Sequence, residues 1–380
     1  MTEFVNGNRI TLLKSGVEYF PALEAEIDAA RREVHIETYI FEADAAGRSI
    51  AAALARAARR GVAAHLLVDG FGSSDLDRNL VAEMEEAGVR FLVYRPLLSP
   101  WTLRSGRLRR MHRKSAVIDA SVAFVGGINI EDDPIPPRFD FAVRVEGPLV
   151  PSIHRMAKRL WSLVNTARLR ARLPAAAPLV PVSQVCGRQR ALLVTRDNLG
   201  HRRDIEQAYL AAFARARSEI LIANAYFFPG MSFRKALTEA AARGVRVVLL
   251  LQGKVEYLLQ HYASRALYGS FLDAGIEIHE YQKSFLHAKV AVVDRRWATV
   301  GSSNIDPFSL MLAREANVVV EDRRFAGRLR EQLQADIEHG ARVVSRRRWS
   351  HGPLWRRVSY WIGYGIARLA IGVFGLGGRF

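Results

Sequence analysis

The sequence predicts an α/β protein made from one unit used twice, and three observations lead there. A spaced pattern, His-x-Lys, four residues, Asp, six residues, Gly, two residues, Asn, occurs twice with identical internal spacing. Segments flanking the two copies repeat in the same order, and a proline-rich stretch separates the repeats.

In the first unit, ARREVHIETYIFEAD (Ala30 to Asp44) reads as a helix end running into a buried strand, and its counterpart is ARSEILIANAYFFPG (Ala216 to Gly230). ARRGVAAHLLVDG matches AARGVRVVLLLQG, and AGVRFLVYRP matches AGIEIHEYQK. Each unit therefore reads helix, strand, helix, strand, helix, strand, then a hairpin. Strands alternating with amphipathic helices predict an α/β sandwich in each half.

The hairpins carry the spaced pattern. The first copy is His112, Lys114, Asp119, Gly126 and Asn129; the second is His287, Lys289, Asp294, Gly301 and Asn304. Apolar residues fill the interval between Lys and Asp, so each copy reads as a buried strand, a turn and a second short strand. Side chains two apart on a strand share a face, which presents an imidazole and an ammonium together. The glycine admits close approach of backbone to a ligand, and the asparagine offers amide donors. Nitrogen donors and positive charge converging on one spot describe a phosphate site. Asp119 and Asp294 are expected to stabilise the motif by accepting backbone N–H groups at the hairpin turn. The second copy reads Gly301-Ser302 where the first reads Gly126-Gly127, so Ser302 is a further candidate phosphate ligand.

Pro174, Pro178 and Pro181 mark a linker, expected over residues 171–190 between an N-terminal domain of 1–170 and a C-terminal domain of 191–340. Residues 341–380 differ from both. They open with Arg346, Arg347 and Arg348, add Arg356 and Arg357, and continue as a largely apolar stretch interrupted by Arg368 and punctuated by glycines. An arginine near the centre of a membrane span costs roughly 2.5 to 3.5 kcal/mol on insertion scales. An interfacial or re-entrant anchor is therefore expected, with a helix docked on the protein as the competing reading. Leu97, Leu98, Trp101 and Leu103, followed by Arg104, Arg107, Arg109 and Arg110, form a second basic-apolar segment, suited either to dipping into a bilayer or to a solvated loop.

A net charge of +17 calls for an anionic partner, nucleic acid or a lipid surface. One cysteine, Cys186, excludes an internal disulfide framework and suits a reducing compartment. No signal peptide or N-terminal anchor is legible, and the histidines show no metal-ligand spacing along the chain, so no metal and no cofactor are expected.

The two motifs, with RRMHRKSAVID, FAVRVEGP, IANAYFFPG and WATVGSSNIDPFSL, resemble the phospholipase D superfamily, and within it the bacterial cardiolipin synthases of the short, B-type group. That resemblance runs from about Asn8 to about Asp322. It implies two pseudo-symmetric phospholipase D-type α/β sandwich domains with a shared active site between them. It also implies a phosphohistidine mechanism in which His112 attacks phosphorus and His287 is general acid and base; by sequence alone the two roles could be exchanged. Lys114, Lys289, Asn129 and Asn304 would hold the non-bridging oxygens. Asp140 and Glu315, each 28 positions after a motif histidine (140 − 112 = 28; 315 − 287 = 28), are the candidate orienting acceptors. The implied reaction joins two phosphatidylglycerol molecules into cardiolipin and glycerol, by peripheral or monotopic association with anionic lipids on the cytoplasmic face of a bacterial inner membrane. A hydrolase or another phosphatidyltransferase would use the same residues. A nuclease would use the charge, but the apolar tail and the Trp- and Leu-rich loop stand against it and no stacking aromatics along a basic groove are legible in the sequence, so nucleic acid is not expected. A non-enzymatic membrane-binding protein is disfavoured because both motifs are intact.

Overall fold

The computed structural model describes residues 3–96, 109–167, 184–198, 200–350 and 353–373. The candidate bilayer loop from Leu97 to Arg107, and most of the expected linker, lie outside these residues.

The first half runs β1 (Val5–Lys14), α1 (Ser15–Ala29), β2 (Glu33–Thr38), α2 (Ala45–Arg59), β3 (Ala63–Asp69), α3 (Arg78–Glu86), β4 (Arg90–Tyr94), the hairpin β5 (Lys114–Ile118) and β6 (Val122–Gly126), β7 (Phe141–Glu146) and α4 (Val150–Ala167). The second half repeats it: β8 (Gln189–Arg196), α5 (Asp204–Arg215), β9 (Glu219–Asn224), α6 (Met231–Ala242), β10 (Arg246–Gln252), α7 (Leu258–Ala266), α8 (Tyr268–Asp273), β11 (Glu277–Tyr281), the hairpin β12 (Lys289–Val293) and β13 (Trp297–Gly301), α9 (Pro307–Met311), β14 (Glu315–Glu321) and α10 (Arg323–Gly340). A short β15 (Ala341–Val343), α11 (Arg346–Ser350) and α12 (Leu354–Val373) close the chain.

The strand order is β15-β11-β10-β9-β12-β13-β14-β8-β1-β7-β6-β5-β2-β3-β4, which reads the same outward in both directions from the β1–β8 seam apart from β15. In each half the first two crossovers give parallel pairs, β2–β3–β4 and β9–β10–β11, and the hairpin strands join antiparallel. β1 and β8 were not foreseen from the sequence. Asn6, Gly7 and Asn8 interrupt the apolar pattern of β1, and the strand exists because it pairs with β7 on one side and β8 on the other.

The two halves also pack face to face. One core cluster takes Val117, Val125 and Val143 from the first half together with Val290, Val300 and Val318 from the second. Separate clusters sit under the outer helices of each half. A strand buried on both faces reads as a continuous apolar run, as KSAVI and KVAVV do. The expected sandwich of two similar units is the fold observed.

α12 docks on the second half as a helix lying against α7. Tyr360 stacks on Trp349, Tyr262 meets Tyr360, and Phe228 meets Tyr364. Its opposite side leaves Trp355, Val358, Ile362, Ile366 and Leu369 more than half exposed, a stripe at helical spacing. No helix among the described residues is long and apolar enough to cross a membrane.

Candidate active site

β5 and β12 place His112 and His287 just before their first residues, at corresponding positions in the two halves. The chain arriving at each histidine is held by the other half. His112 N–H donates to the Arg314 carbonyl (3.0 Å), and His287 N–H donates to the Phe139 carbonyl (2.9 Å). Those two carbonyls immediately precede β14 and Asp140, so the backbone that fixes one half's histidine also delivers a carboxylate to it.

The carboxylates cross over. His112 Nδ1 lies 3.0 and 3.2 Å from the two Glu315 oxygens, and His287 Nδ1 lies 2.7 Å from Asp140 Oδ2. Equal offsets pick out the right residues but give no partner; in the fold, each histidine takes its acceptor from the opposite half. Asp140 is 3% exposed rather than a solvated loop carboxylate, and Glu315 is fully buried. With Nδ1 occupied, Nε2 is the ring nitrogen left for chemistry.

Lys114 and Lys289 are buried beside them, their ammonium groups donating to the carbonyls of His112 and His287. Burial depresses Lys114 to about 7 and Lys289 to about 8, against the pull of Glu315 and Asp140. Burial also holds His112 and His287 below the usual imidazole range, His287 the further, because the charges of Lys289, Lys114 and His112 all add to it. Asp140 is raised to about 6 by burial, with Lys289 opposing. Burial thus disfavours the charged forms here, and a bound anion would favour the two ammonium groups.

Asn129 is buried, donating from Nδ2 to Glu131 (3.0 Å) and accepting from Ile40 N–H at 3.4 Å. Asn304 Oδ1 is buried without a hydrogen-bond partner. Ser302 corrects an expectation. Its hydroxyl donates to Glu315 (2.5 Å) and accepts from Ala316 N–H (3.1 Å), so it supports the carboxylate that holds His112 instead of facing a phosphate.

The motif aspartates stand apart from the histidines. Asp119 and Asp294 lie at the far ends of β5 and β12, about 20 Å from the histidines by strand rise, so they do not belong to the catalytic group. Asp119 accepts from the backbone N–H groups of Arg31, Arg32 and Glu33, and Asp294 from those of Arg217, Ser218 and Glu219. They accept backbone N–H bonds as expected, but from the chain entering β2 and β9. Each also takes the left-handed conformation with its successor, φ 50° and 51° at Asp119 and Ala120, φ 52° and 51° at Asp294 and Arg295. The carboxylate anchors a turn that its backbone strains to make.

Residues not foreseen complete the surroundings. Tyr39 sets its ring 4.9 Å from His112 and 5.1 Å from Lys114 Nζ. Asp69, fully buried, accepts from Met111 N–H at 2.8 Å and fixes the approach to His112. Asn129, Glu131, Arg138, Asp140 and His287 line a small cleft at the mouth. The repeat alignment sets Tyr39 against Ala225, a difference that was the available signal; Asp69 gave none.

Two hairpin histidines, each backed by a carboxylate from the other half and flanked by a buried lysine, on a duplicated α/β sandwich, define an enzyme of the phospholipase D class. Residues 23–163 and 209–337 match the family described as cardiolipin synthase, PLD-like domain, and the chain belongs to that family. It is 42% identical to cardiolipin synthase B of Escherichia coli (strain K12) over 87% of this chain and 81% of that one. It is 32% identical to a probable cardiolipin synthase of Bacillus subtilis (strain 168), over 88% of this chain and 67% of that one. The fold is shared with the crystal structure of phosphatidylserine synthase from Haemophilus influenzae Rd KW20, at a TM-score of 0.73 and 13% identity, covering 99% of this chain and 97% of that one.

Proposed function

We propose that this chain is a cardiolipin synthase, a phosphatidyltransferase that moves the phosphatidyl group of one phosphatidylglycerol to the glycerol hydroxyl of another. The observation that carries the mechanism is the pair of crossed histidine–carboxylate contacts in a site with two buried lysines. His112 Nε2 attacks phosphorus as the bond to the departing glycerol oxygen breaks, and His287 gives that oxygen its proton. The hydroxyl of the second phosphatidylglycerol then attacks the phosphohistidine, returning its proton to His287 and freeing His112. Lys114, Lys289, Asn129 and Asn304 hold the non-bridging oxygens, and the diester's negative charge offsets the lysines so that His287 can carry the proton it needs.

The enzyme works peripherally, on the cytoplasmic face of the membrane. The exposed stripe of α12, with Trp361 beside it, supports insertion into the lipid interface, and the basic residues from Arg346 onward suit anionic headgroups. Labelled phosphatidylglycerol incubated with the purified chain in detergent micelles tests the reaction. Cardiolipin with glycerol is expected; phosphatidic acid alone would make water the acceptor and the chain a hydrolase.

A further inference from the structure

The histidines show no metal spacing along the chain, but the fold gathers some of them at a place the transfer chemistry does not use. Glu33 and His35, two apart on β2, share a face, and His154 reaches them from α4. All three are at most 5% exposed, and their ligand atoms lie within 4.8 Å of one another. His154 Nε2 meets Glu33 Oε1. His35 Nε2 stands 3.5 Å from Glu33 Oε2, yet it is buried with no hydrogen-bond partner. An orphaned buried nitrogen costs about 1–3 kcal/mol, and this one points into the cluster. His65 stacks on His35 at 4.2 Å and Trp161 closes over His65 at 4.7 Å, which fixes the His35 ring.

We propose that Glu33, His35 and His154 bind one divalent transition ion of the zinc type, tying α4 to β2, with a water as fourth ligand. Two imidazoles and a carboxylate form a nitrogen–oxygen set suited to such an ion. Tetrahedral bonds of 2.0–2.1 Å put ligand atoms about 3.3 Å apart, close to the His35–Glu33 separation of 3.5 Å. His65 is a packing neighbour and not a ligand, since Nδ1 faces the Val34 carbonyl and Nε2 faces Arg90. Lys158 Nζ, 3.8 Å from Glu33 and 38% exposed, competes with the ion for the carboxylate and is free to turn to solvent.

The test uses tag-free full-length protein, stripped with chelator and titrated with Co(II). One equivalent should give the visible absorption of a four-coordinate nitrogen–oxygen site and be displaced by Zn(II), and the melting temperature should rise with Zn(II) concentration. His35→Gln and His154→Gln should abolish both signals, whereas His287→Asn should keep them. Lys158→Ala, at a partly exposed position that does not threaten folding, should tighten Co(II) binding several-fold. Absence of the band, its survival in both His35→Gln and His154→Gln, or unchanged affinity in Lys158→Ala would overturn the proposal.

Discussion

Glu315→Gln preserves the shape of the buried acceptor beside His112 and removes its charge. Ser302 can reverse its hydrogen bond to accept from the new amide, and the fully buried side chain keeps its volume, so the fold should lose at most about 1–2 kcal/mol. Catalysis should lose far more. At 3.0 Å a carboxylate stabilises the positive charge developing on the attacking imidazole by about 5 kcal/mol at an effective dielectric near 20, or about four orders of magnitude in rate. A retained neutral hydrogen bond returns part of that, leaving an expected fall in kcat of about 10³–10⁴-fold. The assay is conversion of labelled phosphatidylglycerol to cardiolipin in mixed micelles, with acid-quenched phosphatidyl-enzyme counted in parallel. Because the carboxylates cross, Glu315→Gln should trap as little label as His112→Ala, and Asp140→Asn should behave like His287→Ala, which slows both steps but keeps the nucleophile and so traps more label than His112→Ala. Activity within threefold of the parent in folded Glu315→Gln would refute the orienting role. Label appearing in the opposite pair of variants would exchange the roles of the two histidines.

Activity should fall as pH rises above about 8, because Lys289 and Lys114, held at about 8 and about 7, then lose the charge that binds the diester. Stability moves oppositely: a lysine depressed by folding binds fewer protons than in the unfolded chain between its folded value and about 10.4, so this site favours folding as pH rises there. A kcat/KM profile flat to pH 10 would refute the role given to the two ammonium groups. Trp361→Glu with Ile366→Glu, both on the exposed side of α12, should release the chain from anionic liposomes while sparing activity on detergent-dispersed lipid; full co-sedimentation at high salt would place the anchor elsewhere. Gly127→Ser should inactivate by displacing Asp140, whose Oδ1 lies 2.3 Å from where the new Cβ would stand, and wild-type activity in that variant would show that the carboxylate has room to move.

The repeated motif made the site legible because its chemistry is local: a histidine and a lysine two apart on a strand must share a face whatever surrounds them. The matched offset found Asp140 and Glu315, because duplicated sandwiches place equivalent loops at equivalent distances. Which histidine each serves was hidden, since a repeat read along the chain makes every half look self-contained, and only the face-to-face packing joins His112 to Glu315. The Glu33, His35 and His154 cluster was hidden because its third member comes from a later helix of the same half, whose packing on β2 no spacing along the chain reveals. Strand β1 was missed because its pairing, not its apolar pattern, makes it a strand. The tail was ambiguous because α12 is apolar on two sides, one packed against α7 and the other open.

The two half-sites differ in a way that is itself compensated. The first pairs Gly127 with Asp140, and the second pairs Ser302 with Glu315. Asp140 is short and crowds the backbone, with both carboxylate oxygens where a Cβ on residue 127 would sit, so that position can bear no side chain. Glu315 is one methylene longer and leaves room for Ser302, whose hydroxyl then donates to the carboxylate. His112 thus has an acceptor fixed by a second hydrogen bond from Ser302, whereas Asp140 takes its second bond from the backbone N–H of Phe141. Its carboxyl is raised to about 6 by burial. A nucleophile needs a fixed tautomer through the whole cycle, and a general acid must lose its proton once and regain it once. The difference between glycine and serine in the two motifs therefore matches a division of labour in which His112 attacks and His287 moves the proton.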